Sequence, residues 1–251
     1  MADERPTMNE EPGVGGGLLV LWDIDQTLVK TGGVATEAYA EAVLETVGSQ
    51  WRGDMTFNGL TERAMAVRVL RMHDVDPDAE LLTLFLANLE RSLLSRAEAT
   101  KARGYALTGA LAALQALDAE ADVRQSVLTG NIRTVAEMKL QAFDLHSWID
   151  FPIGAYGDDE FERNALIPHA WRRTEARYGR TYAPAETVIL GDTVRDVEAA
   201  LAHDAAVVAV ASGTTPAADL RDAGAEVVLD DLADTGRVLA AIAEATAAAR
   251  R

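Results

Sequence analysis

The run Leu18-Leu19-Val20-Leu21-Trp22 ends on Asp23-Ile24-Asp25-Gln26-Thr27-Leu28, so two carboxylates stand two residues apart where an apolar stretch of strand length gives way to a loop. The stretch is too short to cross a membrane and reads as a strand buried on both faces, the pattern a parallel α/β sheet requires. Open α/β sheets bind their ligands at the carboxyl ends of such strands. A carboxylate is seldom buried without a partner, and two this close repel each other, so a cation is their natural companion. Taken alone, Asp-x-Asp-x-Thr is also compatible with a strand-ending loop of solvated acids.

Two later segments repeat the design. Val123–Val127 reads as a strand and leads through Leu128-Thr129-Gly130-Asn131 into a helical pattern over 132–143. Thr187-Val188-Ile189-Leu190 leads through Gly191-Asp192-Thr193-Val194-Arg195-Asp196 into another helix. The Thr129 hydroxyl and the N–H groups that open the next helix offer a place for a phosphate oxygen. Asp192 and Asp196, four residues apart, can share a face and add negative charge. Capping explains a Thr, Asn or Asp at any one of these turns. It does not explain three polar turns that each follow an apolar strand and together carry four aspartates.

These residues resemble the haloacid dehalogenase superfamily, in particular a subgroup similar to phosphoglycolate phosphatases with an inserted helical cap. Asp23-Ile24-Asp25-Gln26-Thr27 is similar to the first family motif, Thr129-Gly130-Asn131 to the second, and Gly191-Asp192-Thr193-Val194-Arg195-Asp196 to the fourth. Arg163, in Asp158-Asp159-Glu160-Phe161-Glu162-Arg163-Asn164, stands where the third motif carries a cation. There the family usually has Lys followed by Pro, and Gln26 replaces a common Gly, but neither change removes a required charge; Arg adds a planar fork suited to oxygen anions. The resemblance spans about residues 17 to 232.

The resemblance implies a magnesium-dependent phosphomonoester hydrolase acting on a small phosphorylated metabolite. Asp23 would be the nucleophile that becomes an aspartyl phosphate. Asp25 would be the general acid and base. Thr129, Gly130, Asn131 and Arg163 would hold the phosphoryl oxygens. Mg2+ would be held by Asp23, Asp192 and the backbone carbonyl of Asp25, with Asp196 supporting by orienting Arg163 or a metal-bound water. An acid at the position of Asp25 favours ester hydrolysis over carbon–halogen or carbon–phosphorus cleavage. A sugar phosphomutase of the same superfamily is the nearest alternative, and a binding or regulatory protein that kept the fold is a further one.

The expected fold is α/β, a Rossmann-like parallel sheet core with helices on both faces and an inserted α-helical cap. Residues 1–16, with acids, Pro and Gly, read as a flexible tail and not a signal peptide. Residues 17–31 and 101–251 read as the core and 32–100 as the cap, with Thr31, Gly32 and Gly33 as its hinge. Helical spacing is expected over 36–47, 61–72 and 81–94. Beyond 108, helix and strand alternate: helix to 118, strands near 123, 151, 188, 207 and 227, and helices over 132–143 and 164–178, from 194 and from 234. Asn58-Gly59-Leu60-Thr61-Glu62-Arg63 is a candidate cap loop facing the site, with Arg63 either a substrate contact or a solvated helix residue.

Composition removes other classes. A net charge of −17 argues against nucleic acid, which demands clustered Lys and Arg. No stretch reaches membrane length. Zero Cys excludes thiolate chemistry and disulfides and agrees with a cytoplasmic location. His73, His146, His169 and His203 are scattered without ligand spacing. Gly15-Gly16-Gly17 precedes a strand and is not a phosphate loop. Nothing in the sequence speaks to oligomeric state.

Overall fold

A computed structural model describes residues 17–53 and 59–251. The chain runs β1 (Leu18–Trp22), β2 (Val29–Lys30), α1 (Val34–Val47), α2 (Glu62–Met72), α3 (Ala79–Leu94), α4 (Ala97–Arg103), β3 (Tyr105–Ala106), α5 (Ala110–Asp118) and β4 (Val123–Val127). It continues with α6 (Arg133–Ala142), α7 (Ile167–Tyr178), β5 (Thr187–Gly191), α8 (Val194–Leu201), β6 (Ala206–Val210), α9 (Ala217–Asp222), β7 (Val227–Leu229) and α10 (Thr235–Ala249). Five parallel strands lie in the order β4-β1-β5-β6-β7. β1 therefore stands between β4 and β5, and the three polar turns leave adjacent strands at one edge of the sheet.

Strand alternation divides the core. Val20 and Trp22 of β1, with Val188 and Leu190 of β5, pack against α5, α6 and α10. Leu19, Leu21 and Ile189 point the other way, into a cluster with Ile167, Ala170, Val197, Ala200 and Leu220 from α7, α8 and α9. Trp22 is fully buried and donates to Gln125 Oε1 at 3.2 Å, so it is a core residue.

Helices α1 to α4 stand between β2 and β3, which pair antiparallel through Val29↔Ala106 and Lys30↔Tyr105. A third cluster joins Tyr39 and Val43 of α1, Val69 and Leu70 of α2, and Phe85 and Leu89 of α3. It also takes in Ile132 and Val135, so α6 is a seam facing the sheet with Ala136 and Leu140 and the helical layer with Val135 and, beside it, Met138. Where the chain leaves β2, Gly32 and Gly33 take φ of 64° and 79°. A Cβ on Gly32 would lie 2.6 Å from that of Arg103, so the position requires glycine twice over.

The expected strand near 151 is instead a 3-10 turn, Phe151–Ile153. Pro152 has no N–H to give a ladder, and pairing beyond β4 reduces to a single bridge between Leu128 and Ala155. The helix expected from 164 starts as a 3-10 turn over Arg163–Leu166 before α7 begins. Among the described residues, no helix is long and apolar enough to cross a membrane. Residues 1–16, including Gly15 and Gly16, and Asn58 of the candidate cap loop lie outside the described residues.

Candidate active site

Asp23 follows β1 and is fixed by its own N–H, which donates to the Leu190 carbonyl at 2.8 Å and so keeps the first loop turn bound to β5. Its carboxylate is buried and accepts from Arg163 Nη2 at 2.7 Å. The same Nη2 reaches Asp196 Oδ1 at 2.6 Å and the Leu128 carbonyl at 3.1 Å, so one guanidinium bridges two carboxylates. Asp196 is fully buried, and its other oxygen accepts from Thr193 N and Oγ1, closing a capping box at the start of α8. It is buried against Arg163 and is not a surface acid. Arg173, also basic and nearby in sequence, is committed to Asp159 and the Gly154 carbonyl.

Carboxylate oxygens of Asp23, Asp192 and Asp196 lie within 4.8 Å of one another. Asp192 is 1% exposed and its Oδ2 has no hydrogen-bond partner among the described residues. A buried carboxylate oxygen left bare among like charges fits a divalent cation, whose preferred ligands are such oxygens. Gly213 leaves room for it, since a Cβ there would lie 1.7 Å from that atom. Burial, reinforced by Asp23 and Asp196, pushes Asp192 up to about 8. Burial likewise pushes Asp23 up to about 7 against the pull of Arg163. Burial works against the charge on Arg163, yet Asp196 and Asp23 raise its pKa beyond the ordinary value.

The side chain of Asp25 turns away from this cluster. Its Oδ2 accepts from Lys139 Nζ at 2.6 Å and from Asn131 Nδ2 at 2.8 Å, and Asn131 Oδ1 accepts from the same Lys139 at 2.6 Å. Thr129, fully buried, accepts from Asn131 N at 3.3 Å and from Asn131 Nδ2 at 2.8 Å through Oγ1. Gln26, between the two turns of the loop, has a φ of 66°, the left-handed conformation that a glycine would take without strain.

A cleft of about 170 Å3 is lined by Asp23, Asp25, Thr129, Gly130, Asn131, Arg163 and Asp192 from the sheet side. From the helical layer come Ala35, Tyr39, Gly59, Leu60, Glu62 and Met65. The layer sits directly on the core: Glu62 N donates to the Gly130 carbonyl at 2.8 Å, and Thr61 Oγ1 to that of Phe161 at 2.6 Å. Arg63 is absent from the lining and stacks on Phe161, 4.6 Å from the ring centre. Among the described residues, the cap-side charge that faces the cleft is its neighbour Glu62. Glu62 and Lys139 are the two charged residues that motif reading passed over. The histidines stay outside the cluster; His169, for one, pairs with Glu160.

Residues 20–210 match the family described as haloacid dehalogenase-like hydrolase. No curated protein matches the sequence. Among solved structures, the chain is similar to a predicted phosphatase from Clostridium acetobutylicum, at 18% identity and TM-score 0.68 over 90% of this chain and 100% of that one. It is similar to a predicted phosphoglycolate phosphatase from Haemophilus somnus, at 17% identity and TM-score 0.65 over 90% and 100%. CbbY from Rhodobacter sphaeroides, solved in complex with phosphate, matches at 20% identity and TM-score 0.67 over 88% and 96%. At such identities the likeness is one of fold. The family match spans most of the chain, and the protein belongs to the haloacid dehalogenase-like hydrolases.

Proposed function

We propose that the protein is a magnesium-dependent phosphatase of small phosphate monoesters that works through an aspartyl phosphate on Asp23. The observation that carries this reading is the bare, buried Asp192 Oδ2 beside Asp23, with Asp25 on the same loop and Arg163 across from it. Asp23, Asp192 and the backbone carbonyl of Asp25 would hold the metal, which when bound offsets the repulsion between carboxylate and phosphate dianion.

Asp23 attacks phosphorus in line, and Asp25 gives a proton to the departing alcohol oxygen. In the second half Asp25 takes a proton from the attacking water, which displaces the Asp23 carboxylate from phosphorus and releases inorganic phosphate. Arg163, the Thr129 hydroxyl and the Gly130 N–H meet the three phosphoryl oxygens, where charge accumulates in the transition state. Asn131 and Lys139 aim Asp25. Helices α1 to α4 act as a cap hinged at Gly32 and Gly33, and its seating on Gly130 keeps bulk water from the phosphoryl group.

That seating also supports a second reading, a sugar phosphomutase, which must shield the aspartyl phosphate long enough to return it. A panel of phosphomonoesters assayed with and without magnesium separates the two. Phosphate release from several esters, abolished in Asp23→Asn, supports the phosphatase; isomerised sugar phosphate without release supports the mutase. No turnover together with no metal binding points to a regulatory protein.

A further inference from the structure

The leaving group has to lie on the side of the cleft opposite the aspartate cluster, against the helical layer. There, among the described residues, the polar side chains are those of Glu62, the first residue of α2, and Tyr39 of α1. Both are buried, with Glu62 8% and Tyr39 1% exposed, and the Tyr39 hydroxyl donates to Glu62 Oε2. Neither is an incidental surface group: the Glu62 N–H is bonded to the Gly130 carbonyl, which fixes the carboxylate relative to the phosphoryl-binding turn.

A carboxylate accepts through two oxygens, and one phenol does not satisfy it. Among the described residues, Glu62 Oε1 makes no hydrogen bond and no cation is paired with Glu62. Burial pushes its pKa up to about 7, with the Tyr39 hydrogen bond and Lys139 opposing. Buried polar groups are matched by partners, and a carboxylate with one oxygen already bonded to a phenol matches a neutral hydroxyl, which donates to the other carboxylate oxygen or to the phenol oxygen.

The same wall is unsuited to a second anion. Among the described residues lining the cleft, the cations are Lys139 and Arg163, and each is already held in ion pairs, to Asp25 and to Asp23 and Asp196 respectively. A carboxylate on the leaving group would face Glu62 without a free counter-ion.

We propose that Glu62 and Tyr39 form the leaving-group subsite and read a hydroxyl, so that the enzyme selects phosphate esters of neutral polyols or sugars and rejects esters that carry a carboxylate. The proposal rests on the phosphatase reading above and narrows its substrate class.

Three esters of similar size test it: glycerol 3-phosphate, propyl phosphate without the hydroxyls, and 3-phosphoglycerate with a carboxylate. With magnesium, kcat/KM for glycerol 3-phosphate exceeds that for either of the others by about tenfold or more, because a site built to bond a hydroxyl penalises its loss. In Glu62→Gln and Tyr39→Phe, both close to isosteric, the preference over propyl phosphate collapses to about twofold to threefold, and Glu62→Gln gains relative activity on 3-phosphoglycerate. A pair that merely ties α1 to α2 would instead change all three esters in proportion. The proposal is overturned if the parent treats the esters alike or prefers 3-phosphoglycerate, or if the variants keep the parent's ratios. Acetyl phosphate, which has no alcohol to recognise, separates the two levels. A parent that cleaves it with magnesium but fails the ester ranking loses only the subsite, whereas one inert on every ester and on acetyl phosphate loses the phosphatase reading and the subsite with it.

Discussion

Ile132, Val135, Ala136 and Leu140 form one buried stripe of α6 and its cap, and Lys139 stands on that stripe, 6% exposed. Glu62 stands on the corresponding stripe of α2, in line with Ala66, Val69 and Leu70. The signal for both was in the sequence: a charge at an apolar position of a helical period has to be paired or functional. Motif reading picked out Arg63 because it looks toward residue types and loop positions, whereas helical phase places Glu62 on the inner face. Asp23, Asp25, Asp192 and Arg163 were legible because each follows an apolar strand or precedes a helix in a fixed order. Lys139→Met leaves Asp25 with Asn131 as its side-chain partner and should cost about 1–2 kcal/mol in urea unfolding, less than a fully buried pair because the Asp25 side chain is 37% exposed and screened. Gln26→Gly should act oppositely. The left-handed backbone there strains any Cβ, so relief of that strain, less the added freedom of glycine in the unfolded chain, should raise stability by up to about 1 kcal/mol in the same assay.

At the level of elements, strand and helix periods account for the sheet and for α1, α2 and α3, with Thr61 and Asp78 capping α2 and α3 through their side chains. The β2–β3 ribbon escaped because two residues per strand carry no readable alternation. The 3-10 turns at Phe151–Ile153 and Arg163–Leu166 escaped because periodicity separates 2.0 from 3.6 and little in between. Beyond the apolar seam of α6, the close seating of the start of α2 on the core depends on two glycines. A Cβ on Gly130 would lie 2.1 Å from the Leu60 carbonyl oxygen, and one on Gly157 would lie 1.7 Å from that of Gly130. Gly130→Ala should therefore push the start of α2 off the core at a cost of about 1–3 kcal/mol. Amide exchange reports it directly: the Glu62 N–H, bonded to Gly130 in the parent, should exchange faster in the variant while amides of β1 and β5 keep their protection.

For the molecule as a whole, the aspartate cluster should link stability to both metal and pH. Magnesium at about a hundred times its dissociation constant should stabilise the fold by about 2.7 kcal/mol, a rise of a few degrees in Tm that Asp192→Asn largely loses. In chelator, Asp23 and Asp192 hold protons in the folded state up to about 7 and about 8, while in the unfolded chain they release them near 3.8. The folded state binds more protons across that window, so stability is fully present below the unfolded value and falls as pH rises through the folded ones. Thermal melts in chelator should thus drop from pH 5 to pH 8, less steeply in Asp192→Asn, and magnesium should flatten the drop. The sheet order carries a different kind of consequence, in time. β1 is made first among the core strands, yet its neighbours are β4 and β5, and Leu19 waits for Arg124 on one side and Thr187 on the other. Closing loops of that length before any pairing is rewarded is slow. As synthesis runs from the N-terminus, Asp23 emerges early and the aspartate cluster stays incomplete until Asp192 and Asp196 have followed it. The nascent chain gathers no such cluster before nearly the whole sheet exists to hold it.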